Sequence, residues 1–109
     1  MASGAGEGGA VDMAATRHRS LTREQVQTIA RALADPRRYE ILKQLGAGCD
    51  AVQCSVVRGW VGVGAATLSH HMKELEGARL VAAVRDGKYV TYTLRRDVLL
   101  AYLDHMAKL

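Results

Sequence analysis

Apolar residues recur at helical spacing along the first ordered-looking part of the chain. Val26, Ile29, Ala30 and Leu33 follow one another in steps of three, one and three, which predicts a helix over 22–33. Thr22, with Gln25 three residues later, supplies a capping-box start. Asp35-Pro36 opens a second helix: an acceptor side chain at the cap, then a residue whose fixed φ suits the first helical position. Tyr39, Leu42 and Leu45, with Ile41 beside them, form its apolar stripe, and Gly46 and Gly48 end it. A loop over 49–53 leads to a short helix over 55–61, where Val56, Val57, Trp60 and Val61 are candidates to face inward. Trp60 is most simply a core residue. Gly62-Val63-Gly64 breaks the chain again, and a fourth helix is predicted over 65–76. Its inner side is Leu68, Met72 and Leu75, and its other side carries Ala66, Thr67, Ser69, His70 and Lys73.

The period then changes. Residues 80–84 and 88–94 read as strands around Asp86-Gly87, a strong hairpin signal because glycine accepts the positive φ of a tight turn. Tyr89, Val90, Thr91, Tyr92 and Thr93 all favour a strand. A last helix over 97–109 has Val98, Leu99, Tyr102, Leu103 and Met106 on its apolar side. The expected fold is mainly α with a small β-hairpin, in the order helix, helix, helix, helix, hairpin, helix. That order describes a winged helix-turn-helix domain over residues 20–109. Residues 1–19 are expected to be a flexible tail, since the first sixteen (MASGAGEGGAVDMAAT) are rich in Gly and Ala and show no apolar period.

Apolar residues make up 49% of the 109, enough for one core, which Leu, Val, Ile, Ala and Tyr must fill because Phe is absent. No apolar run approaches the ~20 residues of a membrane span, and the first residues lack the basic-then-apolar pattern of a secretory signal, so a cytoplasmic protein is expected. The first sixteen residues hold Glu7 and Asp12 but no Lys or Arg, so the net charge of +4 becomes +6 from Arg17 onward. A basic domain suits a polyanionic partner, nucleic acid being the commonest; a solvated basic surface accounts for the charge as well.

Three separated stretches sharpen this picture. Ala32-Leu33-Ala34-Asp35-Pro36-Arg37-Arg38-Tyr39-Glu40-Ile41-Leu42 resembles the opening signature of the ArsR/SmtB family of bacterial repressors. Thr67-Leu68-Ser69-His70-His71-Met72-Lys73-Glu74-Leu75 is similar to its recognition helix, and Arg85-Asp86-Gly87-Lys88-Tyr89-Val90-Thr91-Tyr92-Thr93-Leu94 to its wing. The resemblance covers residues 22 to 106. It implies a homodimer in which the first and last helices of two subunits pack together, a pseudo-palindromic DNA operator, and repression relieved by an inducer or by modification of a thiol. The family often has Gly where Arg79 stands, whereas Gly77 lies two residues earlier, and Gly64 takes the place of a frequent Ser cap.

In such a domain phosphate contacts give affinity and base contacts give specificity. Ala66, Thr67, Ser69 and His70 lie on the first turns of the expected recognition helix, where they meet base edges or thymine methyls. Arg37, Arg38, Lys73, Arg85 and Lys88 are candidate phosphate contacts, although Arg37 and Arg38 serve equally as solvated first-turn charges. His71, one position from His70, is expected to be packed and hydrogen-bonded. No Arg or Gln stands ready for a bidentate base contact, so modest base readout is expected, supported by DNA shape.

Cys49 and Cys54 are the sensor candidates, and three readings stay open. They close a reversible disulfide or trap an electrophile, with Cys54 near a helix N-terminus where thiolates are favoured. They hold trivalent arsenic or a soft metal, with a third sulfur from the other subunit. Or they are ordinary small apolar residues. The Cys-x-Cys of the arsenic-responsive members is absent, for Gln53-Cys54-Ser55 stands there. Zinc binding by Asp97, Asp104 and His105 of the last helix lacks a second histidine. No cofactor follows beyond that soft metal or metalloid at the cysteines. No nucleophile–base pair or phosphate loop argues for an enzyme; the rival reading is a winged-helix protein-interaction module that does not touch DNA.

Overall fold

A computed structural model describes residues 20–109, so the tail expected over 1–19 lies outside the described residues. Among the described residues there are five helices and one three-stranded antiparallel sheet: α1 (Arg23–Leu33), α2 (Pro36–Ala47), β1 (Val52–Gln53), α3 (Cys54–Val61), α4 (Ala65–Gly77), β2 (Val81–Asp86), β3 (Tyr89–Leu94) and α5 (Arg96–Ala107).

The helix starts form as their sequences dictate. The Thr22 hydroxyl accepts the Gln25 N–H at 3.1 Å while the Gln25 side chain accepts the Thr22 N–H at 2.8 Å, completing the box that starts α1. The Asp35 carboxylate accepts the N–H groups of Arg37 (2.7 Å) and Arg38 (3.3 Å) at the start of α2. Burial opposes ionisation of Asp35, but these donors and the nearby cations prevail and hold its carboxyl below the usual range.

Two helix ends are closed from a distance. The Arg38 guanidinium donates to the carbonyls of Ala32 (2.8 Å) and Arg31 (3.1 Å) at the end of α1. Arg96 donates to those of Gly46 (2.7 Å) and Gly48 (3.3 Å) at the end of α2. Both reach last-turn or cap carbonyls, which helix termini leave short of partners; that of Arg31 also accepts the N–H of the capping Ala34 at 3.2 Å. Gly46 lies inside α2 rather than ending it, and a side chain there would meet Leu94 of β3 at 3.4 Å.

The sheet order is β1-β3-β2. The hairpin turns on Gly87-Lys88, with Asp86 opposite Tyr89 and Gly87 at φ +61°. The turn therefore sits one residue later than Asp86-Gly87 suggested. The loop expected over 49–53 is corrected as well. Val52 and Gln53 pair with Tyr92 and Thr91, a third strand added through contacts about forty residues away in sequence.

One cluster of Ile29, Ile41, Leu45, Val57, Leu68, Met72, Leu75, Leu80 and Tyr92 forms the centre, with Trp60 half-buried against it. Three expected inward residues are corrected: Tyr39 is 57% exposed, Val56 is 49% exposed, and Ala30 is exposed. Val56 stands next to buried Val57, and Tyr39 lies two residues before Ile41, where the buried face of its helix begins. On α5, Val98 is buried and Leu99 and Tyr102 are half-buried, but Leu103 and Met106 face outward.

Candidate nucleic-acid interface

Leu68, Met72 and Leu75 set the rotation of α4, since each is at most 2% exposed. Full burial of such side chains stabilises by about 1.5–3 kcal/mol apiece, so turning the helix by one residue is prohibitive. Thr67, Ser69, His70 and Lys73, with Ala66 before them, are thereby left on the exposed flank. Gly64 caps α4 without a side-chain acceptor, its carbonyl receiving the Leu68 N–H at 2.9 Å.

The turn after α4 has the geometry that a glycine would favour, built on Arg79. Arg79 adopts φ +62°, the one non-glycine residue with positive φ among the described residues. The Arg79 N–H donates to Glu76 (2.9 Å) and the Leu80 N–H to Leu75 (3.0 Å), which is a Schellman closure. Leu75 and Leu80, both fully buried, make its apolar contact.

His71 is 5% exposed on the inner face of α4, packed as expected. Its Nδ1 lies 3.3 Å from Nη1 of Arg38. A guanidinium only donates, so Nδ1 accepts and a neutral ring carries its proton on Nε2. That Nε2 is buried and finds no partner among the described residues. Burial first, and Arg38, His70 and Arg37 after it, lower the pKa of His71, against the pull of Asp35. Arg38 thus ties α2 to the end of α1 and to α4, whereas Arg37 is exposed.

The wing cations differ too. Arg85 donates to both carboxylate oxygens of Glu76 at 3.3 and 3.4 Å, an exposed pair of small energetic weight. Lys88, in the hairpin turn, lies 5.6 Å from the centre of the Tyr89 ring.

Between α3, the outer flank of α4 and the wing lies a cleft of about 450 Å3, bounded by Cys54, Arg58, Ser69, Arg85, Val90 and Tyr92 among others. Arg58 and Tyr92 were not singled out by sequence. Arg58 offered one signal, a cation beside inward-facing Val57 on a short helix; Tyr92 reaches the cleft only through the strand pairing. Burial first, then the adjacent Cys54 thiol and Glu76, push the Tyr92 phenol up to about 12, with Arg85 pulling the other way.

Cys54 is half-buried and Cys49 exposed, both free thiols. No cluster of three metal-ligating side chains occurs among the described residues. Asp97 is held by Arg95 at 2.9 Å and Asp104 by Lys108 at 3.0 Å. No helix among them is long and apolar enough to cross a membrane.

The arrangement is that of a winged helix-turn-helix domain. An arsenical resistance operon repressor of Staphylococcus xylosus is 34% identical over 76 residues, covering 70% of this chain and 71% of that protein. The homodimeric winged helix-turn-helix DNA-binding domain of Mb0332 from Mycobacterium bovis, a possible ArsR-family transcriptional regulator, superposes with TM-score 0.63. It is 28% identical, covering 92% of this chain and 89% of that one. An ArsR-like regulator from Rhodococcus sp. RHA1 shares the fold at TM-score 0.67 and 22% identity, over 78% of each chain. No family model matches the sequence. The chain belongs to the ArsR family of transcriptional regulators. These relatives are regulators rather than enzymes, in agreement with the reading of the sequence.

Proposed function

We propose that this protein is a repressor that binds a pseudo-palindromic operator as a homodimer. One observation carries the reading: α4 is anchored by three buried side chains so that Ala66, Thr67, Ser69, His70 and Lys73 face outward beside a basic wing. Ala66, Thr67, Ser69 and His70 meet base edges in the major groove. Lys73, Arg37, Arg85 and Lys88 meet phosphates. Arg38 contributes by seating α4 and, through its residual exposure, as a secondary phosphate contact.

Dimerisation uses α1 and α5. Leu100, Leu103 and Met106 are exposed at successive three-residue steps of α5, an apolar stripe suited to a second copy of the chain. Derepression follows from thiol chemistry at Cys54, with Cys49 as a second thiol; a metalloid would need sulfur from the other subunit. A mobility-shift titration with the duplex upstream of the protein's own gene tests the reading. Binding that is specific over a scrambled duplex supports it. Failure to bind either duplex favours a protein-interaction role instead.

A further inference from the structure

The cleft beside the wing joins Ser69 and Arg85, which the DNA-binding reading uses, to Cys54, Arg58 and Tyr92, to which it gives no contact with DNA. It is about 450 Å3, within the range of small-molecule sites. Its walls carry a thiol (Cys54), a phenol (Tyr92), a hydroxyl (Ser69) and two guanidinium groups (Arg58 and Arg85). Leu68 and Val90 supply an apolar floor. Arg58 is exposed and forms no ion pair among the described residues; Arg85 is matched by Glu76 alone. Tyr92 is 5% exposed and lines the cleft together with the half-buried Cys54. The single sulfur rules out three-coordinate metalloid binding by one subunit's cleft, and the guanidinium pair favours an anion.

We infer that the cleft is a reaction site for small disulfides bearing carboxylates, which Arg58 and Arg85 hold while Cys54 exchanges with the disulfide. The Cys54 thiolate attacks one sulfur; a Cys54 S–S bond forms as the incoming S–S bond breaks. The protein sulfur is oxidised to the mixed disulfide, and the other half departs as a thiolate that takes up the proton Cys54 released. The disulfide is itself the oxidant. Because Ser69 and Arg85 border the cleft, the attached anionic group stands against the face proposed to meet DNA. Its regulatory consequence therefore rests on that proposal, while the exchange reaction does not.

The test uses the reduced full chain at low ionic strength, without DNA. It is treated separately with oxidised glutathione, which is anionic, and with 2-hydroxyethyl disulfide, which is neutral. Intact mass and peptide mapping give the rates at Cys54 and Cys49. The expected anionic-to-neutral rate ratio at Cys54 exceeds that at Cys49 by about tenfold, the scale of local charge focusing. In urea the two cysteines become alike. Arg58→Gln, at an exposed position, lowers the anionic rate at Cys54 several-fold more than the neutral rate, because loss of thiolate affects both disulfides alike and loss of carboxylate binding only one, and an unchanged circular dichroism spectrum reports an intact fold. The inference is overturned if Cys54 shows the same ratio as Cys49, if it stays unreacted while Cys49 is labelled, or if Arg58→Gln alters both rates equally. Adding an operator duplex that binds is expected to slow the reaction at Cys54; no protection would overturn the mutual exclusion of ligand and DNA. Absence of any DNA binding would instead count against the repressor reading, leaving the thiol result intact.

Discussion

Replacing Arg79 with glycine should stabilise the domain, although it deletes a surface charge at the mouth of the wing. Arg79 holds φ +62° at the residue where α4 gives way to β2. A side chain with a Cβ in the left-handed region costs roughly 1–2 kcal/mol, because Cβ crowds the following carbonyl. Glycine removes that crowding but has more freedom to lose on folding, roughly 0.4–1 kcal/mol. The net gain is therefore about 1 kcal/mol. The Schellman bonds at 2.9 and 3.0 Å and the Leu75–Leu80 contact are retained, since none involves the Arg79 side chain. For a domain of this size such a gain raises the melting temperature by roughly 4–8 °C. Urea unfolding followed by circular dichroism, at one fixed protein concentration, measures it; the fixed concentration matters because dimerisation feeds into apparent stability. Arg79→Ala is the control: it removes the guanidinium but keeps Cβ, and it should stay within about 0.5 kcal/mol of the parent. A glycine variant no more stable than the alanine variant would refute the claim that the turn is strained.

Three further outcomes follow from other parts of the molecule. The double variant Arg85→Ala, Lys88→Ala removes four charges per dimer and should flatten the slope of log affinity against log salt by about 3–4; an unchanged slope would take the wing off the phosphates. The pKa of His71 is lowered below 6.5 in the folded protein, so the unfolded chain binds the proton first. Stability should thus be full above pH 6.5 and fall as the pH drops below it, and His71→Gln should flatten melting temperature against pH between 7 and 5. Asp35 acts in a separate window, its contribution being lost as pH falls through its depressed folded value, below the ordinary 3.8; parallel curves for parent and His71→Gln would show that His71 is not the group responsible. Gly59 lies within α3 with nothing within 4 Å of an added Cβ, so Gly59→Ala should stabilise by about 0.5–1 kcal/mol in the same urea assay, and a loss would mean unseen packing at that face.

The helices and the hairpin were legible because each carries a local physical signal. Thr22 and Asp35 announce their caps, and the Leu68, Met72, Leu75 spacing announces both α4 and the flank it exposes. What escaped depends on distant partners. Val52-Gln53 is too short to show alternation and becomes a strand only because β3 lies alongside. Tyr39 and Val56 are apolar and near the right period, yet their helices turn other residues inward, Ile41, Leu42 and Leu45 in one and Val57 in the other. Arg38 reads as a first-turn surface cation. Its role in closing α1 and meeting His71 depends on how three helices come together. The glycine expected near Arg79 is missing while the backbone conformation it serves persists, since tertiary anchoring by Leu75 and Leu80 outweighs a local cost of roughly 1–2 kcal/mol. The cleft joins α3, α4 and the wing, so no single stretch of sequence displays it. The assignment of α4 residues to bases rests on exposure and chemistry, both visible beforehand.

Fluorescence anisotropy gives the most direct test of the α4 assignment. Affinity of parent and His70→Ala, Ser69→Ala protein is measured for the duplex upstream of the protein's own gene and for a scrambled duplex, at one salt concentration. The parent should prefer its own duplex by at least about 10³-fold, and the double variant should lose most of that preference while binding the scrambled duplex as before. Equal affinity of the parent for both duplexes, or a preference untouched by the two substitutions, would contradict base reading by the outer flank of α4.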